Sequence, residues 1–147
     1  MTREEFISLL EKNYYSYEIA GEKVIVTHGG YVDLRSLNSL PSDVEFKNVG
    51  GVYLGSLEIL PSGVEFKNVG DVLLRSLETI ASGVEFKNFG DAHLNSLKTI
   101  YPDVKFNNEG SVYCNLFDGW FSGSKLAIKD INSNNLLNLM IKRGIFE

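Results

Sequence analysis

The chain has almost no cysteine, no excess of basic residues, no long apolar run and only two histidines among its 147 residues. A single cysteine, Cys114, excludes an internal disulfide and a Cys-based zinc cluster, and a reducing, cytoplasmic location is the simplest expectation. A net charge of −5 argues against non-specific attraction to nucleic acid or an anionic membrane surface, because both depend on clustered Lys and Arg. No stretch reaches the roughly 18–20 apolar residues of a membrane span. The amino-terminal segment, acidic and then amphipathic, has no continuous apolar signal region.

Signatures of catalysis are also missing. There is no Cys/His metal spacing, no Gly-rich phosphate-cradling loop and no nucleophile elbow. His93 beside Asp91 or Asp71 is the one acid–base pairing that can be constructed, and an open strand face gives it no pocket. No catalytic residue, cofactor or metal site is therefore expected. The residues present suit a globular chain: 44% are hydrophobic and 22% charged, with enough length for one domain and its core.

A repeat decides the architecture. Gly30, Gly50, Gly70, Gly90 and Gly110 recur every twenty residues, and Leu37, Ser36, Asn48 and Phe46 each begin columns of the same period. Four full units run over 30–109. Within each, Val52-Tyr53-Leu54 and Val64-Glu65-Phe66-Lys67 alternate with period two, which marks half-buried strands. Between them, residues 56–63 read as a corner with further inward anchors and a Pro/Gly turn.

The expected fold is mainly β: a β-solenoid of ~20-residue coils in which two strands per coil stack on their counterparts at about 4.8 Å, making two stacked parallel sheets. The phase places the columns starting at Val32, Leu34, Leu37, Leu40, Val44 and Phe46 inward. Cys114 takes over a Leu position as a small buried hydrophobe. Coil ends expose strand edges unless covered. Residues 1–23 are read as an amino-terminal helical cap, opened by the capping box Thr2-Arg3-Glu4-Glu5, with 24–117 as the solenoid. Residues 118–147 are read as a carboxy-terminal cap with a strand at 125–128 and a helix over 133–143.

The twenty-residue period and corners such as Ser56-Leu57-Glu58-Ile59-Leu60-Pro61-Ser62-Gly63-Val64 resemble leucine-rich repeats of the short bacterial and phage-borne kind, over about residues 24–117. The resemblance implies a protein-recognition scaffold, in the host cytoplasm if phage-encoded. The usual Leu-x-x-Leu-x-Leu-x-x-Asn core is absent, and a two-sheet solenoid fits that departure better than a one-sheet horseshoe.

Columns then separate structure from function. The Asn48 and Ser36 columns serve turns and corners. Glu45, Glu65 and Glu85, with Lys47, Lys67 and Lys87 two residues on, read as a self-neutralising solvated face; the lysines work against calcium. On the other sheet the outward positions break the repeat. They hold Asp33, Tyr53, Leu73, His93 and Tyr113 in the middle, Tyr31, Gly51, Asp71, Asp91 and Ser111 before, and Arg35, Gly55, Arg75, Asn95 and Asn115 after. Exposed aromatics beside Arg are the composition of a protein-binding hot spot. The expected contact set is Tyr31, Asp33, Arg35, Tyr53, Leu73, Arg75, His93 and Tyr113.

That face covers roughly 300–480 Å², below the ~800 Å² per partner of a standard interface, so a protein partner would also touch a corner or cap, or two copies would pair as a homodimer. The leading expectation is a non-enzymatic protein-interaction module. The alternative is a small phage or bacterial inhibitor that acts as an acidic decoy, blocking a host nucleic-acid-binding defence enzyme.

Overall fold

The structure, a computed structural model, describes residues 1–101 and 103–114. The carboxy-terminal strand and helix expected within 118–147, and Asn115 of the outward row, lie outside the described residues. The chain opens with α1 (Arg3–Lys12), whose capping box is complete: the Thr2 hydroxyl accepts from the Glu5 amide, and the Glu5 carboxylate accepts from the Thr2 amide. Its spacing turns Phe6 and Leu10 into the core, both fully buried.

Strands β1 (Tyr17–Ala20) and β2 (Lys23–Val26) form an antiparallel hairpin. The first coil carries β3 (Val32–Asp33) and β4 (Val44–Phe46). The second has β5 (Val52–Tyr53), β6 (Ile59–Leu60) and β7 (Glu65–Phe66), and the third β8 (Val72–Leu73), β9 (Thr79–Ile80) and β10 (Glu85–Phe86). The fourth holds β11 (Ala92–Leu94), β12 (Thr99–Ile100) and β13 (Lys105–Phe106), and β14 (Val112–Cys114) follows.

These strands stack in register into a β-solenoid of twenty-residue coils. The first sheet runs β1-β2-β4-β7-β10-β13 and the second β14-β11-β8-β5-β3, parallel apart from the β1–β2 hairpin. Every parallel pairing joins residues twenty apart, as in Phe46↔Phe66 and Val52↔Val72. Two sheets were expected and three are present: the corner residues Ile59–Leu60, Thr79–Ile80 and Thr99–Ile100 form a short parallel ladder β12-β9-β6. Once Leu60, Ile80 and Ile100 stack inward at coil spacing, the adjoining backbone falls into hydrogen-bonding register. The amino-terminal cap is likewise more than a helix, since β1 adds a strand to the first sheet and the Tyr15 hydroxyl accepts from the Asp33 amide at the edge of the second.

All six inward columns are buried, Cys114 among them. Phe46, Phe66, Phe86 and Phe106 stack with centroids 5.0–5.2 Å apart, a spacing that follows from the coil rise. Close stacking of turns explains the glycine column: a Cβ on Gly50 would lie 2.5 Å from the Tyr31 amide nitrogen of the coil before. At the Pro/Gly corner, Gly63 has φ +75°, where a side chain is strained.

The asparagine column is structural. Each buried Asn Nδ2 donates to turn carbonyls; Asn68, for example, reaches Gly50, Gly70 and Asp71. The four Oδ1 atoms meet no donor among the described residues. The Ser36 column gives one matching contact, Ser96 Oγ donating to the Arg75 carbonyl. Among the described residues no helix is long and apolar enough to cross a membrane.

Candidate binding face

The two outer sheet faces treat charge differently. On the first sheet, Lys67 pairs with both Glu45 and Glu65, the latter at 3.1 Å, while Lys23 also reaches Glu65 and Lys87 pairs with Glu85. Lys47 approaches Glu45 from the same coil at 3.8 Å. The expected solvated face is corrected at one point: Glu45 is only 3% exposed, because two ammonium groups close over it between neighbouring strands. Burial raises the Glu65 carboxyl pKa, but hydrogen bonds from Lys67 and Lys23 outweigh it and hold the group below its ordinary value. The hydrogen bond to Glu45 is the main cause that lifts the Lys67 pKa, against the opposing effect of burial.

The second sheet aligns the expected middle positions into one ladder. Asp33 opposes Tyr53, Tyr53 opposes Leu73, Leu73 opposes His93, and His93 opposes Tyr113. All five are half-buried. Successive residues of a strand point to opposite faces, so burying Val52 and Leu54 presents Tyr53 outward. Tyr31 packs beside Tyr53 with centroids 5.7 Å apart, and the His93 and Tyr113 rings stack at 4.8 Å. The eight expected residues thus share one face, although they split into two ends around Leu73.

At one end lies a shallow groove of about 260 Å³ lined by Arg35, Tyr53, Gly55, Leu73 and Arg75. Gly55 creates it, because the column Arg35-Gly55-Arg75 loses its side chain in the middle coil. Arg35 is committed within its own coil: its Nε and Nη2 donate to the two oxygens of Asp33 at 2.9 and 2.7 Å. That fork holds the Asp33 carboxyl below its ordinary value. Arg75 is exposed, and no carboxylate pairs with it among the described residues.

At the other end, Asp71, Asp91 and His93 each offer a ligand atom, all within 4.8 Å of one another. The sequence brought these residues together as an acid–base pairing and did not join them as a metal-ligand set.

A further surface was missed. Val49, Val69 and Phe89 are 61%, 53% and 62% exposed, and they line the turn that leads into the second sheet. The signal was available, since position 44, 46 and 48 side chains go inward and an apolar residue at 49 breaks the alternation. Comparison with family models, with curated proteins and with solved structures finds no match for this chain.

Proposed function

We propose that this chain is a non-enzymatic protein-recognition module whose contact surface is the outward face of the second sheet, extended over the Val49-Val69-Phe89 ridge. The groove between Arg35 and Arg75 carries the reading: Tyr53 and Leu73 give it apolar walls, and Arg75 offers a guanidinium with no internal carboxylate. An aromatic anchor and a desolvated arginine are the usual centre of a binding hot spot. The ridge supplies the additional apolar area that the strand face lacks for a standard interface. The resemblance to bacterial and phage-borne leucine-rich repeats supports the same role, as such repeats are recognition scaffolds.

The acidic-decoy alternative draws on the Asp71–Asp91 column, where carboxylates stack without a lysine between them. It gains nothing from the Glu45, Glu65 and Glu85 row, whose carboxylates are neutralised internally.

The test is affinity capture from the native host, then binding measurements on the recovered partner with wild type, Leu73→Asp, Glu65→Lys, Asp71→Lys and Asp91→Lys, each at two salt concentrations. A recognition face centred on Leu73 is expected to lose its partner in Leu73→Asp, while Glu65→Lys changes mainly the salt-dependent on-rate. Full binding by Leu73→Asp contradicts the proposal. A ranking dominated by Asp71→Lys and Asp91→Lys, with binding steeply weakened by salt, would favour the decoy.

A further inference from the structure

Asp71, Asp91 and His93 stand where the repeat breaks. Asp71 and Asp91 occupy the same column at the entrances to adjacent strands β8 and β11, since the following residues Val72 and Ala92 pair in register. Asp91 immediately precedes β11 and His93 lies at its centre, two residues on, with their ligand atoms within 4.8 Å of one another. Backbone amides set both carboxylates: Asp71 Oδ1 accepts from the Asp91 amide and Asp91 Oδ1 from the Ser111 amide, each at 2.8 Å. One oxygen of each is thereby anchored, and the other accepts no hydrogen bond among the described residues. The His93 ring is braced from the far side by its stack on Tyr113.

Charge separates this trio from the other sheet. Among the described residues, no lysine or arginine pairs with Asp71 or Asp91, although every glutamate of the Glu45 row has one. Two uncompensated carboxylates and an imidazole together carry the charge that a divalent cation neutralises. We infer that Asp71, Asp91 and His93 form a surface site for a divalent first-row transition ion, with zinc as the best match.

The donor set decides the ion class. Calcium and magnesium take shells made of oxygen, whereas one imidazole nitrogen with two carboxylate oxygens suits zinc and its neighbours. The ligand atoms lie within 4.8 Å of one another. Ligands at ~2.1 Å around a tetrahedral ion stand about 3.4 Å apart, so the exposed Asp71 carboxylate would have to turn about its anchored Oδ1 to close the shell. Three protein ligands leave a fourth position, which a water or a partner's side chain would fill. The site does not depend on the recognition reading, because its test needs no partner.

Zinc alone is titrated calorimetrically into the full chain, alongside Asp91→Asn, His93→Gln and His28→Gln. Asp91→Asn keeps the acceptor for the Ser111 amide, and His28, which packs edge-on against Tyr15, controls for the other imidazole. Wild type is expected to bind one equivalent, His28→Gln to match it, and the Asp91 and His93 variants to weaken by more than about tenfold. Histidine-detected NMR of the wild type supplies a readout immune to misfolded variants, with zinc moving the His93 resonances and not those of His28. The site is overturned by no binding up to about 1 mM zinc, by undiminished binding in His93→Gln, or by loss in His28→Gln.

Discussion

The first and second sheets sit on the same coils and differ in how they use the repeat. On the first, the Glu and Lys columns keep their period and close their charges on one another: Lys67 spans Glu45 and Glu65, and Lys23 adds to Glu65. On the second, the inward columns keep their period while the outward ones change from coil to coil, leaving Arg75, Asp71 and Asp91 without ion pairs among the described residues. Where each coil offers the same complementary charges, a face can satisfy itself. Where the repeat is broken, unsatisfied groups remain for something else to meet.

The largest effect should come from the core that both faces share. Phe66→Ala opens a cavity in the middle of the phenylalanine stack and is expected to cost about 3–5 kcal/mol by urea unfolding. A cost near that of a surface change would mean that the inward phase is wrong.

Removing one cation from each face sharpens the comparison. Lys67→Ala leaves buried Glu45 with Lys47 alone and should cost about 1–2 kcal/mol. Arg75→Ala, which breaks no ion pair among the described residues, should stay within about 0.5 kcal/mol. Equal costs would erase the distinction between a satisfied face and an open one.

A smaller effect follows from pH. The Glu65 carboxyl is held low in the folded state, so its contribution is complete above the ordinary carboxylate range and is lost as pH falls through the folded value. The Lys67 ammonium is raised, so its contribution is complete below the ordinary lysine range and is lost as pH rises through the folded value. Thermal melting should therefore be flat between those limits, and Lys67→Ala should shrink the alkaline decline. An unchanged alkaline limb would separate Lys67 from the network.

Much of this was legible in the sequence, because a twenty-residue period converts spacing directly into stacking. The Phe46 column, the Asn48 turns and the alignment of Asp33, Tyr53, Leu73, His93 and Tyr113 all follow from it. The corner ladder did not, since strands of two residues such as Ile59–Leu60 are too short to alternate visibly. Glu45 read as solvated because its burial depends on lysines of its own and the next coil closing over it. The Val49 ridge was passed over because apolar residues in a repeat suggest core, and only the inward phase of Asn48 places Val49 outside.

The central claim is that the second sheet, and not the first, meets the partner. Hydroxyl-radical footprinting of the complex reads both faces at once. The account predicts that oxidation of Tyr31, Tyr53, Leu73 and Phe89 falls on binding, while Lys47, Lys67 and Lys87 keep their free-state reactivity toward a lysine-directed label. Protection of the lysines with Tyr53 and Leu73 unchanged would contradict it.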